Sequence, residues 1–484
     1  MNTVRQSLFL SFAQKYSELL INLAANIILA RLLLPEEVGL YSVIATLTIL
    51  AHMFRDFGVS SFIVREPELS PALFSASFLV TLLWSYSMGA ILLLSSGLIA
   101  AFFDRAELIA VVQVVSLTFF IIPFGSVWLS LLRKQMNFAA LFKIHFCSAL
   151  FGSATSVLLA YQGFSYMSLA WGSLAATLTT VVGSNFYRPA APFCWPDKNS
   201  LLRVMSFGSK ASYISVLHQT VNQLPEILIG KYYGMANTGL YSRANGIVKL
   251  FHMGVMQGLL PVLLPHFVNK LKASGDLSQE YLKVSRSMCT LAWPFFAFLT
   301  LMSEDIIALL FGANWLAAAP LVTWLALCAA IESLYSLNNN VFISLNRMNE
   351  AARNHSWVQG IAFILLLAGA WHSLTGLFIA LTASRVIAML ISAHFLGQVT
   401  GLNLRQLCNN QWPALVVTLC SAIPLLLCLP LLAGFSSTFI RLILAGVLYS
   451  VCWLTALWLV KSVLFTEIRL LADKLRTKTG NHSG

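Results

Sequence analysis

Long runs of apolar residues alternate with short polar stretches along the whole chain. A helix needs about 20 mostly apolar residues to cross a membrane, and about fourteen segments reach that length. Open sheet edges are not stable against lipid, so each of these spans is expected to be an α-helix. The approximate predicted spans are 9–33, 39–63, 73–101, 107–132, 144–161, 166–187, 209–232, 239–265, 288–310, 319–345, 355–372, 376–398, 412–433 and 439–461. The pattern therefore predicts an all-α integral membrane protein.

The composition agrees with this interpretation. Of the 484 residues, 58% are hydrophobic and only 10% are charged, whereas about 25% of an average soluble protein is charged. So few charges cannot cover the surfaces of several soluble domains. This excludes a cytosolic enzyme, a disulfide scaffold and a disordered chain.

The net charge of +12 mostly reflects orientation in the membrane. With the N-terminus in the cytoplasm, about 21 of the 30 Lys and Arg residues fall in cytoplasmic loops and the C-terminal tail, as the positive-inside rule requires. The predicted outer loops hold essentially one basic residue, Arg105. Both termini are therefore predicted to be cytoplasmic, and no nucleic-acid partner is expected.

An internal repeat gives the organisation of the chain. The segment Gly39–Ser42 recurs 200 positions later as Gly239–Ser242, and the same offset aligns His52-Met53 with His252-Met253. Six predicted helices separate the copies, so the two copies run in the same direction through the membrane. Transporters with parallel repeats bind substrate between their halves and alternate by rocking them. The repeat therefore predicts two six-helix lobes plus a terminal helix pair.

These lobes have approximate boundaries in the sequence. The linker between them includes Asp197–Phe207, a segment expected to lie flat as an interfacial helix. The predicted organisation is an N-terminal six-helix lobe at 1–187, a cytoplasmic linker at 188–208, a C-terminal lobe at 209–398, a terminal pair at 412–461 and a cytoplasmic tail at 462–484.

Two of the predicted spans carry matched polar stripes. On the first span, one helix face presents Gln14, Glu18, Asn22 and Asn26. The positions aligned with them on the seventh span are Ile214, His218, Asn222 and Glu226. Such stripes either bond neighbouring helices within a lobe or line a water-filled cavity, and their duplication favours the cavity.

Charged residues within the spans are the candidates for substrate binding, because unpaired charges in lipid cost several kcal/mol. Lys249 and Arg385 lie deepest and have no evident partner on their own helices, whereas Lys15 could pair with Glu18. Cations in such a cavity favour an anionic substrate, and Arg binds phosphate through two hydrogen bonds. The candidate cavity cations are Lys15, Arg55, Arg243, Lys249 and Arg385.

Other polar residues are candidates for lining the same cavity or for coupling ions to transport. The carboxylates and His218 either couple ions to transport or make structural hydrogen bonds. The segment Asn338–Asn340 indicates helix packing, cavity lining or local unwinding. We expect no catalytic residue, cofactor or metal. The predicted polar lining is Asn22, Asn26, Asn222 and Asn339, and the candidates for ion coupling are Glu18, His218, Glu226 and Glu332.

Several short motifs resemble those of the oligosaccharide flippases of the MOP exporter superfamily. They are Leu29–Leu33, Pro35–Tyr41, Arg55–Val59, Ile63–Arg65 and Phe311–Trp315 with Pro320. The resemblance covers nearly the whole chain. It implies two helical bundles around a central cavity, a bacterial inner-membrane location and translocation of an oligosaccharide linked to undecaprenyl diphosphate.

The sequence therefore favours a flippase that moves this lipid to the periplasmic leaflet for exopolysaccharide or lipopolysaccharide synthesis. We expect a monomeric transport unit that alternates access, with a polysaccharide polymerase or assembly complex as a further partner. A cation-coupled multidrug antiporter of the same superfamily is the alternative. A membrane polysaccharide polymerase or ligase fits less well, because no predicted outer loop is large enough for a catalytic domain.

Overall fold

The computed structural model describes residues 2–188, 194–274 and 276–460, without the side chains of 2–9, 209–218 and some positions in 257–262 and 274. These residues form helices joined by short turns, and no strand occurs among them. The predicted all-α fold is confirmed. The predicted cytoplasmic tail at 462–484 lies outside the described residues.

The helices follow one another along the chain in the order expected for a multi-span bundle. The α-helices are α1 Asn2–Leu32, α2 Pro35–Asp56, α3 Val59–Arg65, α4 Pro71–Leu94, α5 Ser96–Phe103, α6 Leu108–Ile121, α7 Pro123–Lys134, α8 Phe138–Tyr161, α9 Met167–Phe186, α10 Lys198–Tyr232, α11 Met235–Phe251, α12 Gln257–Ser274, α13 Ser278–Leu301, α14 Ser303–Leu310, α15 Ala319–Ser333, α16 Asn338–Ser344, α17 Met348–His372, α18 Leu374–Thr400, α19 Leu404–Asn410, α20 Trp412–Leu432 and α21 Thr438–Leu459.

Eight helical segments of the described chain are long and apolar enough to cross a membrane. The pair α6 and α7 adds a ninth if it counts as one span, although it is bent by 52°. Several remaining helices, including α1 and α10, are long but carry polar stripes that lower their hydropathy. The count of fourteen spans is compatible with this arrangement and stays a prediction.

Local sequence signals explain where the helices begin and end. Pro35 starts α2, and the Glu37 carboxylate accepts a hydrogen bond of 2.6 Å from the Leu34 N–H, which satisfies one of the unpaired N–H groups of the first turn. The helix ends at Asp56 because Phe57 and Gly58 both adopt positive φ angles, of 40° and 67°. This break turns the chain into the short helix α3.

Two of the expected spans are interrupted in mid-course. A π-helix, His252–Met256, separates α11 from α12, and π-helical turns are frequent at functional sites. Another span consists of a 3₁₀ turn, Ala313–Ala318, followed by α15, a non-helical turn at 334–337 and α16. Local unwinding beside Asn338 is thus one of the outcomes that the sequence allowed.

Helix α10 runs without a break from Lys198 to Tyr232. The Asp197 carboxylate accepts a hydrogen bond of 3.4 Å from the Ser200 N–H at its start. Hydrogen bonds from the Ser200 side chain and, to a smaller extent, its backbone hold the pKa of Asp197 below its usual range. The segment expected to form a separate interfacial helix is therefore continuous with the seventh predicted span. Its orientation to the membrane surface stays a prediction.

The chain divides into two compact units, Met1–Ser242 and Arg243–Gly484, called here the first and second units. In the first unit, α1 packs on α8, α8 on α9, and α10 on α2 and α4. In the second unit, α13 packs on α15 and α20, and α17 packs on α18. The lobe boundaries drawn from the repeat stay a prediction.

Candidate functional site

The polar stripe of α1 faces helices of its own unit. Asn22 and Asn26 line a pocket of about 190 Å³ between α1, α8 and α9. Ser148, Ser156 and Ser173 line the same pocket, so its wall is rich in hydroxyl and amide groups. The structure therefore brings two predicted lining residues together in one polar pocket.

Glu18 lies on the same face of α1, one helical turn before Asn22. It accepts a hydrogen bond of 3.1 Å from the Gln14 amide, and its carboxylate is 3.5 Å from Nδ1 of His145 on α8. The pairing of Lys15 with Glu18 that the sequence allowed is not formed, and the Lys15 side chain is exposed. Sequence analysis missed His145, although a histidine within the apolar helix α8 was a usable signal.

The matched stripe on α10 is described only in part. Asn222 is half-buried and Glu226 is buried, with 8% of its surface exposed. Both make interactions with other groups. The side chain of His218 lies outside the described residues, so its predicted coupling role stays a prediction.

The repeated glycine motif forms a close helix contact within the first unit. A methyl group added to Gly39 would lie 1.8 Å from the carbonyl oxygen of Met235, and one added to Gly239 would lie 1.9 Å from that of Pro35. Ser42 and Ser242 share a hydrogen bond of 3.0 Å. We call this contact the glycine crossing. Its backbones approach so closely that only glycine fits at either position.

Ion pairs lie at the same helix ends as the glycine crossing. Lys231, at the end of α10, is 3.2 Å from Asp104, and Arg105 is 2.7 Å from Glu36, in the first turn of α2. The positive-inside rule predicts that these helix ends lie on the side of the membrane opposite to the cytoplasm. Here Arg105, the single basic residue of the predicted outer loops, has a structural partner.

Arg55 occupies the last turn of α2, beside Asp56. Its Nε and Nη1 atoms are buried and have no hydrogen-bond partner among the described residues. Leaving charged donors of this kind unsatisfied costs free energy. Arg55 thus keeps hydrogen-bonding capacity that a ligand could use.

Helix α11 carries two of the predicted cations, in different environments. The guanidinium of Arg243 lies 5.8 Å from the ring centre of Phe311 and 5.6 Å from that of Trp315, and cations are attracted to aromatic faces at these distances. Lys249 is exposed, about 21 Å along α11 from Met235 at roughly 1.5 Å per residue. The geometry gives Arg243 a structural contact and leaves Lys249 accessible.

Arg385 on α18 lies next to Glu332 on α15. Its Nη1 atom is 3.6 Å from the Glu332 carboxylate, with 23% of the Arg385 side chain and 49% of the Glu332 side chain exposed. The expectation that Arg385 is unpaired, drawn from its own helix alone, is therefore wrong. The partner lies 53 positions earlier on another helix, which spacing along one helix cannot reveal.

The asparagines after α15 have separate roles. Asn338 accepts a 2.6 Å hydrogen bond from the Tyr281 hydroxyl and donates one of 3.2 Å to the Ser392 carbonyl, so it ties α13, α16 and α18 together. Asn339, the predicted lining residue, is exposed. In the part of the chain that the structure describes, no group of three or more His, Cys, Asp or Glu side chains is arranged to hold a metal ion.

Comparison of the sequence with known proteins identifies relatives named for polysaccharide biosynthesis. The chain is 23% identical over 377 residues to the teichuronic acid biosynthesis protein TuaB of Bacillus subtilis (strain 168), covering 74% of each chain. It is 28% identical over 311 residues to the succinoglycan biosynthesis transport protein ExoT of Rhizobium meliloti (strain 1021), covering 63% of this chain and 62% of that one.

The fold matches that of a solved flippase. The lipid II flippase MurJ, in an inward closed conformation, superposes with a TM-score of 0.72 at 13% identity, covering 92% of this chain and 97% of that one. The resemblance expected from the short motifs is confirmed. A family described as "Polysaccharide biosynthesis protein" matches residues 28–320, more than half of the sequence. The chain belongs to this polysaccharide biosynthesis protein family.

Proposed function

We propose that the chain is a flippase that moves an oligosaccharide linked to undecaprenyl diphosphate from the cytoplasmic to the periplasmic leaflet of a bacterial inner membrane. The family, the transport relative in succinoglycan biosynthesis and the fold shared with a lipid II flippase support a transporter rather than an enzyme. In this proposal both termini lie in the cytoplasm.

The choice of substrate is supported by two cations that lie far from the first residues of their helices, in segments that the sequence predicts to span the membrane. Arg385 lies about 16 Å along α18 from Leu374 and Lys249 about 21 Å along α11, at roughly 1.5 Å per residue. An exposed lysine at such depth is costly against lipid and favourable in a hydrated space. Cations in that position select a substrate with a negatively charged group at the membrane centre.

In the proposed mechanism, the diphosphate binds two cations of the second unit, Arg385 and the exposed Lys249. Arg binds phosphate oxygens through its fork of N–H groups, and Lys supplies a point charge. Exposed polar residues of the same unit, such as Asn339, accommodate the sugars, and the prenyl chain stays in lipid. Alternating access then carries the headgroup across.

The proposal also includes undecaprenyl diphosphate as the carrier lipid and a polysaccharide polymerase or assembly complex as a partner.

The multidrug antiporter alternative requires an acidic cavity. Glu332, a half-exposed carboxylate predicted to couple ions, faces Arg385 at 3.6 Å. The local charge there is balanced rather than acidic, which favours the flippase.

A reconstitution experiment tests the function. Proteoliposomes would contain the full chain and a fluorescent oligosaccharide linked to a prenyl diphosphate, with an impermeant quencher reporting movement between leaflets. We expect wild-type protein to flip the lipid, and the Lys249→Ala/Arg385→Ala variant to lose at least 90% of the rate, on the order of the 10-fold change expected from about 1.4 kcal/mol of lost binding.

A matched control uses two exposed basic residues near helix ends. The Lys283→Ala/Arg405→Ala variant removes the same two charges from exposed positions and should flip at the wild-type rate. Flipping by the Lys249/Arg385 variant at that rate would contradict the cation assignment. Efflux of cationic drugs without lipid flipping would overturn the proposed function itself.

A further inference from the structure

The strongest unexplained feature is a cluster in the second unit formed by Arg385, Glu332 and Tyr335, called here the Arg385 cluster. We propose that Arg385 and Tyr335 form a subsite for one phosphate group of the substrate, and that Glu332 is a resident counter-ion which the substrate displaces. This inference rests on the proposed function. It adds how the phosphate reaches Arg385, which is by displacing Glu332.

The contact between Glu332 and Arg385 is too long for a locked ion pair. The separation is 3.6 Å, whereas charge-assisted N–H···O hydrogen bonds usually measure about 2.7–2.9 Å. A second Arg–carboxylate pair in the same unit shows the difference. Arg441 lies 2.6 Å from Asp305 and also donates to the Thr438 hydroxyl at 3.2 Å.

Exposure shows from which side a ligand can approach. Glu332 keeps 49% of its side chain exposed, while Arg385 keeps 23%. The carboxylate is therefore the more accessible member of the pair. A phosphate that binds Arg385 competes with Glu332 directly, because both groups are anions that accept hydrogen bonds from the same guanidinium.

The Arg385 cluster contains donors that Glu332 does not satisfy. The Nε atom of Arg385 and the hydroxyl of Tyr335 are both buried, and neither makes a hydrogen bond of good geometry among the described residues. The two side chains interact with each other instead. Each unsatisfied buried donor costs about 1–3 kcal/mol. Phosphate carries several acceptor oxygens, so one bound group can satisfy both donors, which one distant carboxylate does not.

The local backbone explains why Tyr335 lies beside Arg385. Helix α15 ends at Ser333, one residue after Glu332, and Tyr335 lies in the non-helical turn at 334–337. One helical turn before Glu332, Cys328 on α15 contacts Thr382 on α18 at 3.4 Å, so the two helices are close at this level. The break in the span thus places a hydroxyl outside the regular helix and next to the guanidinium.

A purely structural role predicts different behaviour. If the pair only tied α15 to α18, neutralising Glu332 would weaken the fold and disturb Arg385. If Glu332 competes with the substrate, neutralising it removes the competitor and strengthens anion binding. The sign of the change in affinity therefore separates the two roles.

The test measures the binding of inorganic pyrophosphate to the purified full chain in neutral detergent at low salt, by titration calorimetry. We expect Glu332→Gln to bind about 10-fold more tightly, since an anionic competitor is removed. Arg385→Gln should abolish binding, and Tyr335→Phe should weaken it about threefold. Asp305→Asn, which alters the tight pair, should leave the affinity unchanged.

Unchanged or weaker binding by Glu332→Gln would overturn the counter-ion role. Tyr335→Phe leaves both charges in place and tests the subsite independently, so unchanged affinity in that variant would exclude the hydroxyl. Lipid flipping measured on the same proteins separates the two proposals. Normal flipping together with an inert Glu332→Gln variant would refute this inference alone, whereas tight pyrophosphate binding without flipping would refute the proposed function.

Discussion

The glycine crossing and the Arg385 cluster represent two opposite ways of using polar and small residues in a helical membrane protein. At the crossing, every contact is short and mutual, as in the 3.0 Å hydrogen bond between Ser42 and Ser242. In the Arg385 cluster, the ion pair is 3.6 Å long and two buried donors make no hydrogen bond of good geometry. The difference teaches that polar groups in such a protein either complete a helix contact or keep hydrogen-bonding capacity that a ligand can use.

The largest expected effect is on the glycine crossing. Replacing Gly239 with Ala places a methyl group 1.9 Å from the Pro35 carbonyl oxygen, so the helices must separate. We expect a loss of about 3 kcal/mol of stability, the upper end of the range for overpacking, measured by thermal unfolding in detergent. Gly246→Ala on the same helix, where no heavy atom lies within 4 Å of the added methyl, should be neutral or slightly stabilising. Equal losses would refute the steric account.

The helices of the glycine crossing are expected to separate during transport, and a disulfide between them can test this. The hydroxyl oxygens of Ser42 and Ser242 are 3.0 Å apart, which is close enough for two cysteines to form a disulfide. We expect the Ser42→Cys/Ser242→Cys variant to form it on oxidation and to lose flipping until a reductant restores it. Each single variant should remain active under oxidation. Full flipping by the oxidised double variant would show that this contact stays closed throughout the cycle.

The two Arg–carboxylate pairs of the second unit should contribute differently to the free energy of unfolding. Asp305→Asn removes the charge from the pair at 2.6 Å and should lower stability by about 2 kcal/mol, as for hydrogen bonds to charged groups. Glu332→Gln alters the pair at 3.6 Å and should change stability by less than about 1 kcal/mol. Thermal unfolding of both variants provides the measurement. A larger loss for Glu332→Gln would make the Arg385 cluster structural.

The smallest effect is expected at the ion pair beside the glycine crossing. Lys231→Gln breaks the contact with Asp104, whose side chain is 83% exposed. Exposed pairs contribute about 0–1 kcal/mol, so the unfolding temperature should hardly change. A large loss would mean that charge rather than backbone packing stabilises these helix ends.

Local and periodic features of the structure could be predicted from the sequence. Pro35 and Glu37 signalled the start of α2, and the duplicated motif identified Gly39 and Gly239 as equivalent positions. The apolar pattern predicted an all-helical membrane protein. These features depend on residues that are close in the chain or related by the repeat.

Contacts between distant helices could not be predicted in the same way. Arg385 finds Glu332 on another helix, and Arg243 finds the aromatic rings of the Phe311–Trp315 motif. Each pairing depends on how helices pack, which no single-helix pattern encodes. The polar stripe of α1 was expected to face a cavity; Asn22 and Asn26 do line a pocket, whereas Glu18 contacts His145 on α8. Periodicity gives the polar face of a helix but not what that face meets.

The glycine crossing also has the symmetry of a homodimer interface. Gly39 approaches Met235 and Gly239 approaches Pro35, and in the repeat Met235 is the counterpart of Pro35. Each copy therefore offers its partner the same surface that it receives, which is the defining property of an isologous contact. A side chain added at either glycine would therefore push apart both copies of the motif at once.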